Sequence, residues 1–534
     1  MKQMSFIKKI FCLLTALTMV IGLFGCSTQN TAPSVGESTK KEAGKSIVVG
    51  VANLGAERLD YSIPSGYTNE NISRLLYTDY AVRDANGKYD PELGTAKSWS
   101  SNKDSTEWTL VLDNGVLWHD GTEMTSDDVI FGVERMSNPE INKEVSVSEF
   151  YDALKSYTAV DKYTVKFVFS RPFPLFLYYM HSVPAMPKAH IEKVGNETFT
   201  KAPIGNGPFK FVSQKLGTNV EFEAFKDYFL GAPSVDKLTL RIIPESSTMI
   251  AALKAGEIDV AASVPNSSVA ELQANANIKV RSINTGAQGV FVFGERLDPN
   301  SPFSDVRVRK AIDLAIDREG ISQALYSGQA TPALPFPDSA DAFGMPKDVK
   351  PTAYDPEKAK TLLEEAGFPN GFQTPIRIHA YQSGSTPGLI ESAQAVATNL
   401  ESIGIKTEVV LHEAGQYIPE YIKGSVDGLA MLGVSPNAYD IGTSNFLWAA
   451  NGDGLSWMTD ADTSELWDKQ VSEGNPELRR ADIEKAVQIM IDKVSFVNLV
   501  QIPTFYAYGL SVADYTKNNT QTVFTDGIFY LKLN

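Results

Sequence analysis

The spacing of apolar side chains predicts alternating strands and helices along most of the chain. A strand-like apolar run ends at Ala52, and alternate apolar positions over 163–169 predict a half-buried strand. Strand and helix patterns then alternate regularly through 372–430. That order is typical of an α/β protein, in which helices connect the strands of a largely parallel sheet.

Polar residues at helix ends support this interpretation. Thr125 and Asp128 have the spacing of a capping box and predict a helix from about 127 to 136. Asp355 followed by Pro356 begins a second helix, which we expect to end near Gly367.

Residues 1–25 have the pattern of a lipoprotein signal peptide. Early lysines precede an apolar run of about 15 residues, which is short for a transmembrane helix. The run ends at Gly25-Cys26 and resembles a bacterial lipobox, which implies cleavage before Cys26 and acylation of its thiol. A plain secretory signal with a chance cysteine is the alternative. Residues 26–45 have almost no large apolar side chains and predict a flexible tether.

Charge and cysteine content exclude several classes of protein. The formal net charge of −16 disfavours nucleic-acid binding, which requires a basic surface. Cys12 and Cys26 are the chain's two cysteines, and Cys12 lies within the signal. A lipidated mature chain therefore retains no cysteine for a disulfide, a thiol nucleophile or a cysteine-based metal site.

The segment 108–136 contains a possible catalytic couple, His119-Asp120, followed by the acidic pair Asp127-Asp128. Turn formation and helix capping explain these residues more simply. The chain's five histidines have no metal-binding spacing, and there is no GxSxG or phosphate-binding motif. We therefore expect no enzymatic activity, no cofactor and no metal site.

Five blocks occur in an order that resembles one known family. They are 89–136, 204–212 (IGNGPFKFV), 251–261 (AALKAGEIDVA), 305–319 (DVRVRKAIDLAIDRE) and 354–368 (YDPEKAKTLLEEAGF). Together they resemble the family 5 extracellular solute-binding proteins, the receptors of peptide and nickel ABC importers. The resemblance extends over roughly 46–534.

The resemblance implies a two-lobed clamshell of the periplasmic-binding-protein type (type II, cluster C-like). Lobe I is expected to comprise 46–290 and 503–534, with an extra subdomain at about 86–200. Lobe II is expected to comprise 291–502. Two strands would cross between the lobes and form a hinge.

The resemblance also implies where the ligand binds. In peptide-binding members a strand of lobe II pairs with the extended ligand, and an Asp beyond that strand holds its ammonium group. Asn437 stands at the matching position, and Asp440 is the alternative. A role for both residues in shaping a turn is equally open. Aromatic residues of the same loop would cover the ligand or belong to the core. The predicted ligand-binding residues are Asn53, Leu54, Gly433, Ser435, Asn437, Tyr439, Asp440, Trp448 and Trp457.

The predicted function is solute capture for an ABC importer, with a peptide as the first choice of ligand. An oligosaccharide, chelated nickel, or ligand sensing without transport are the alternatives. The expected partners are the permease transmembrane subunits with their ATPases. We expect a monomer on the outer face of the cytoplasmic membrane that contacts the membrane only through its lipid anchor.

Overall fold

The computed structural model describes residues 45–534, except 55–56, 58, 62–68, 85–87, 142–147, 297, 373, 384–385, 436–439, 445–460 and 515–530. The predicted signal peptide, Cys26 and the tether lie outside the described residues, apart from Lys45. Among the described helices, none combines the length and apolarity needed to cross a membrane.

The described chain alternates between strands and helices, as its apolar pattern predicts. The strands are β1 (Ser46–Val51), β2 (Val82–Arg83), β3 (Tyr89–Asp90), β4 (Ala96–Ser101), β5 (Glu107–Leu112), β6 (Leu154–Asp161), β7 (Thr164–Phe169), β8 (Phe209–Lys215), β9 (Asn219–Ala224), β10 (Lys237–Ile242), β11 (Val260–Val264), β12 (Ile278–Phe293), β13 (Thr331–Pro332), β14 (Ile376–Tyr381), β15 (Thr407–His412), β16 (Leu429–Val434), β17 (Phe496–Gly509), β18 (Val512–Asp514) and β19 (Lys532–Leu533). The helices are α1 (Asn69–Leu76), α2 (Ser126–Ser137), α3 (Ser148–Ala153), α4 (Phe176–Met180), α5 (Lys188–Val194), α6 (Asn196–Lys201), α7 (Ser246–Ala255), α8 (Asn266–Gln273), α9 (Val306–Leu314), α10 (Arg318–Tyr326), α11 (Pro356–Glu365), α12 (Leu389–Ser402), α13 (Ala414–Ile422), α14 (Ala461–Gln470) and α15 (Pro476–Asp492).

The capping residues act as predicted. The Asp128 carboxylate accepts a hydrogen bond from the Thr125 backbone N–H at 2.8 Å at the start of α2. Asp355 accepts one from the Lys358 N–H at 2.9 Å at the start of α11. Gly367, just beyond α11, has φ of 91°, which a glycine adopts without strain. These local signals therefore fix both helix boundaries to within a residue or two.

One mixed sheet connects most of the molecule. Its strand order is β15-β14-β16-β12-β17-β11-β1-β10-β9-β8, and β13 also pairs with β17. β14 runs parallel to β15 and β16 at one end of the sheet. β1 runs parallel to β10 and β11 near the other. The antiparallel pair β12 and β17 lies between the two parallel groups.

β12 and β17 are long enough to belong to both halves of this sheet. Their pairing extends from Ile278 opposite Gly509 to Val292 opposite Phe496. The register shifts twice within that length, between Asn284 and Gln288 and again between Gln288 and Val290. The continuous ladder is therefore interrupted over 284–290.

The hydrophobic core changes at the same level. One core gathers buried residues from Val290 to Ile502. The cores on the other side draw on 47–278 and on residues from Phe505 onward. β12 thus passes from one core into another between Ile278 and Val290, and β17 does so between Ile502 and Phe505.

A smaller antiparallel sheet lies apart from the main one. Its strand order is β4-β5-β7-β6, and it packs against α2, α3 and α4. The sheet falls within the range 86–200 predicted for the extra subdomain, whose limits remain a prediction. Trp118, Phe150 and Phe167 are among the fully buried side chains of the same hydrophobic core.

Candidate ligand-binding cleft

The carboxyl ends of two parallel strands define one edge of a candidate cleft. β14 ends at Tyr381 and β16 ends at Val434, and Val434 lies opposite Gln288 of β12. Ligands of open α/β sheets bind in the crevice beyond the carboxyl ends of parallel strands. The interrupted part of the β12·β17 ladder lies at this same level.

Gly433 is held closely by the loop that follows β14. Its backbone N–H donates to the Tyr381 hydroxyl at 3.3 Å. A Cβ atom at this position would lie 2.5 Å from Thr386 Oγ1 and 3.2 Å from Ser383 Oγ. Only glycine therefore fits without moving that loop, and the N–H of Gly433 already has an acceptor.

Of the other ligand-binding residues predicted in lobe II, the structure describes Ser435 and Asp440. Ser435 is exposed immediately beyond β16, where a ligand can reach it. Asn437, Tyr439, Trp448 and Trp457 lie outside the described residues, and their binding roles remain predictions.

The Asp440 carboxylate faces a buried cation of its own chain. Its two oxygens accept hydrogen bonds from Arg479 Nη1 at 2.8 Å and Nη2 at 3.1 Å. The Gly442 backbone N–H also donates to it at 2.9 Å. Arg479 is only 5% exposed. Asp440 therefore attaches its loop to α15. Its contact with a ligand ammonium group remains a prediction, and the ammonium group would have to share the carboxylate oxygens with Arg479.

A second buried carboxyl group lies near this ion pair. Asp338 is buried and accepts a hydrogen bond from the Ser339 N–H at 2.7 Å. Burial, together with the charge of Asp440, raises the pKa of Asp338 to about 8. Asp338 is therefore mostly protonated at neutral pH and adds little negative charge to the cleft.

In lobe I, the loop after β1 carries Asn53 and Leu54. Asn53 is exposed, whereas Leu54 is 2% exposed and belongs to the hydrophobic core. The Leu54 carbonyl accepts a hydrogen bond from the Glu57 N–H at 3.2 Å. Any contact of Leu54 with a ligand would therefore come from its backbone, while Asn53 can offer its side chain.

Two buried polar side chains beside this edge were missed by sequence reasoning. Gln288 and Thr386 are both 0% exposed, and their side-chain polar atoms have no hydrogen-bond partner within the described part of the chain. The available signal for Gln288 was a lone amide before the apolar run GVFVF and close to two glycines. A polar residue inside a buried strand requires a hydrogen-bond partner, and that requirement could have marked it.

His119 clamps the chain and is not a catalytic group. The Gly205 N–H donates to its Nδ1 at 3.0 Å, and its Nε2 donates to the Gly207 carbonyl at 3.0 Å. Burial lowers its pKa to about 4, so the ring is neutral at physiological pH. These bonds join His119 to a segment 86–88 residues further along the chain, so its role is to hold two distant parts of the chain together and not to bond within its own turn.

Two other histidines form a pair at the outer edge of the sheet. His379 Nδ1 lies 2.8 Å from His412 Nε2, and His379 Nε2 lies 2.9 Å from Asp427 Oδ1. Within the described ranges, no group of three or more His, Cys, Asp or Glu side chains has the arrangement of a metal site.

Comparison with known proteins identifies the family. The family described as "Bacterial extracellular solute-binding proteins, family 5 Middle" matches residues 90–455, which is more than half of the chain. The chain belongs to family 5 of the bacterial extracellular solute-binding proteins. The predicted family is therefore confirmed, and members of this family bind solutes for transport and are not enzymes.

Individual relatives differ in the ligands they are named for. This solute-binding protein is 28% identical to "Heme-binding protein A" of Haemophilus influenzae, over 87% of this chain and 88% of the relative. It is 28% identical to the "Dipeptide-binding protein" of Escherichia coli, over 68% and 70% of the two chains. The crystal structure of the ABC transporter substrate-binding protein CtaP from Listeria monocytogenes superposes with a TM-score of 0.79. The two are 25% identical, and the match covers 92% of this chain and 99% of CtaP. The predicted α/β clamshell is confirmed by this likeness.

Because buried His119 is neutral, we expect the free energy of unfolding to depend on pH. Its pKa is lowered from 6.5 to about 4 in the folded protein. The unfolded chain therefore takes up a proton first, and stability that is complete above pH 6.5 is lost as pH falls toward 4. The loss is about 3 kcal/mol by linkage. In His119→Gln, which keeps a donor and an acceptor, the free energy of unfolding should fall less across this range.

Urea denaturation at several pH values measures this difference. His190→Gln is the control, because His190 is a partly exposed side chain whose Nδ1 lies 3.7 Å from Asp120. An unchanged pH dependence in His119→Gln would show that His119 does not titrate as described.

The Arg479–Asp440 pair makes a second prediction. Asp440→Asn leaves the buried Arg479 guanidinium without its counter-charge, which should lower the free energy of unfolding by about 3 kcal/mol. Glu197→Gln is the control, because its ion pair with Lys201 is exposed to solvent, and it should leave the free energy of unfolding almost unchanged. If Asp440→Asn keeps its stability but selectively loses affinity for peptides with a free amino terminus, Asp440 is a ligand residue and the structural role is wrong.

Proposed function

We propose that this protein captures a short peptide between its lobes and presents it to the permease of an ABC importer. The main support for this proposal is that β12 and β17 each belong to two hydrophobic cores, and that the hydrogen-bond ladder between the two strands is interrupted where the cores change. Such a pair of strands can bend where its hydrogen bonding is irregular and keep each core intact.

The lobes follow from the same observation. We assign 46–290 and 503–534 to lobe I, with the extra subdomain at about 86–200, and 291–502 to lobe II. The change of core between Ile278 and Val290, and between Ile502 and Phe505, supports these limits. A ligand that contacts both lobes stabilises the closed arrangement, because its contacts are complete only when the lobes meet.

Contacts between the two assigned lobes occur away from the strands. Asn266 Nδ2 of α8 donates to the Leu325 carbonyl of α10 at 3.2 Å. A Cβ atom on Gly474 would lie 3.1 Å from the Asp104 carbonyl, next to the loop between β4 and β5. These approaches support a closed clamshell in which the extra subdomain touches lobe II.

A peptide is the ligand that the strand end at Gly433–Ser435 suits best. An extended peptide can add to exposed backbone groups beyond β16, while side chains of the loop that follows give specificity. The E. coli relative named for dipeptides supports this choice, and the H. influenzae relative named for heme shows that the family takes other solutes. Asn53, Asn437, Tyr439, Trp448 and Trp457 are proposed as further contacts.

Native mass spectrometry of the purified protein tests the ligand class. A heterogeneous series of adducts that dissociate into short peptides is the expected result. A single sugar mass, a nickel adduct or heme absorbance would contradict peptide binding. Added peptide at 100 times its Kd should raise the free energy of unfolding by about 2.7 kcal/mol.

We further propose that the mature protein is a monomer, held by a lipid on Cys26 at the outer face of the cytoplasmic membrane. The lipobox-like residues before Cys26 and the polar segment 26–45 support this arrangement. A lipid anchor on Cys26 and a flexible tether would keep the clamshell near the permease and free to turn.

Substitution of each cysteine tests the anchor. Cys26→Ala should release the protein from the membrane fraction and abolish its labelling by a fatty acid, because the acylated thiol is gone. Cys12→Ala is the matched control and should stay anchored and labelled. If Cys26→Ala remains labelled, the anchor is not on Cys26.

A further inference from the structure

Gln288 occupies a distinctive place in the sheet. It lies on β12 between the two register shifts that interrupt the β12·β17 ladder. Its neighbours across the strands are Val434, the last residue of β16, and Gln501 of β17. It therefore stands at the level where the lobes meet, beside the strand end that borders the cleft.

The side chain of Gln288 is buried without a hydrogen bond. It is 0% exposed, and neither Nε2 nor Oε1 has a partner in the described part of the chain. A glutamine amide offers two N–H donors and a carbonyl acceptor, and almost every buried amide uses them. Because an unpaired buried amide destabilises a fold, this one implies a partner that the chain itself does not supply.

Other unpaired polar atoms lie at the same ends of the strands. Thr386 Oγ1 is buried and unpaired in the loop after β14, over Gly433. Asn266 Oδ1 is buried and unpaired at the start of α8, just beyond β11, while its Nδ2 bridges to Leu325. Thr386 lies on the face of the sheet opposite Gln288, because it covers Gly433, which pairs with Gly289 and not with Gln288. Gln288 therefore does not share a face of the sheet with Thr386, and the inference rests on Gln288.

The geometry points to Gln288 as a ligand-contact residue whose side-chain amide binds a neutral amide group of the solute. Its Nε2 donates to a carbonyl of the ligand and its Oε1 accepts from an N–H, which is the pattern that the C=O and N–H of a single residue present on one side of an extended peptide. The inference rests on the proposed peptide function and adds that recognition uses the ligand's backbone amide, not only its charged ends.

This role would couple ligand binding to closure. In a closed protein without ligand, the Gln288 amide is removed from water and receives no hydrogen bond in exchange. An extended peptide residue at this position supplies that exchange through its own N–H and C=O, so occupancy selectively favours the closed arrangement. An alternative occupant is a resident buried water, which would make the amide purely structural.

Two measurements separate these occupants. Gln288→Met has a similar volume and no amide, and the probes are a series of alanine peptides from dialanine to hexaalanine, measured by calorimetry. Loss of one or two hydrogen bonds should weaken binding about tenfold or more. The melting temperature of the unliganded variant should be unchanged or higher, because an unpaired buried amide has been removed. Gln214→Met is the control, since Gln214 donates to the Glu57 carbonyl, far from this level of the sheet, and its affinity should stay unchanged.

A chemical substitution in the ligand provides the second measurement and needs no variant to fold. The backbone amides of the tightest alanine peptide are replaced one at a time by esters, which removes one N–H donor in each analogue. The unmodified protein should discriminate against at least one ester, and Gln288→Met should lose that discrimination.

The outcomes distinguish this inference from the proposed function. If the unmodified protein binds peptides and Gln288→Met binds them within twofold, Gln288 is not a ligand contact, although the peptide function stands. A lower melting temperature with unchanged affinity assigns the amide to a resident water and also overturns the inference. If the unmodified protein binds none of the alanine peptides, the proposed peptide function fails, and the assignment of Gln288 fails with it.

Discussion

The antiparallel pair of β12 and β17 lies in the middle of the central sheet, and every other strand is joined to it directly or through the strands between. The backbone hydrogen bonds of this pair must survive any movement of the lobes, because unpaired backbone groups inside a sheet are costly. Bending is therefore confined to the place where the ladder is already irregular, over 284–290. The proposed position of the hinge, and of the cleft beside it, rests on this constraint.

Buried polar contacts anchor the amino-terminal half of β17 to its surroundings. Arg318, at the start of α10, donates from Nε to the Asn498 carbonyl of β17 at 2.7 Å and pairs with the buried Asp313 carboxylate. The Asn498 side chain in turn donates to the Leu334 carbonyl at 2.7 Å. The lobe II half of β17 is thus fixed to the helices around it. Relative motion of the lobes is then expected at the interruption and not within lobe II.

The buried polar groups of this protein fall into two kinds. His119, Arg479 and Arg318 have partners within the chain, and each joins segments far apart in sequence. Gln288 and Thr386 have buried polar atoms without partners in the described chain, and both lie at the ends of strands that border the cleft. A single unpaired atom does not distinguish the two kinds, because Arg479 Nε and Asn498 Oδ1 are also unpaired while their other polar atoms are bonded. Gln288 differs because both polar atoms of its side chain lack a partner in the described chain.

Local order could be predicted because it depends on neighbouring residues. The limits of α2 and α11 follow from capping residues and a turn glycine, and the alternation of strands and helices over 372–430 follows from apolar periodicity. The family could also be predicted, since its blocks occur in order along the chain. The candidate site was predicted less well. Leu54 is a core residue, and Asp440 is paired with Arg479, which lies 39 residues away in the sequence.

Contacts between distant segments were decided by the tertiary structure alone. The sequence by itself determined the secondary structure, the family and the absence of cysteines from 27 to 534, because these depend on composition and short spacings. It could not determine which carboxylate is already neutralised or which buried amide lacks a partner, because each depends on atoms brought together by folding. Only the folded chain shows that Arg479 lies beside Asp440. Likewise, only the folded chain shows that no partner from its described part lies beside the Gln288 amide.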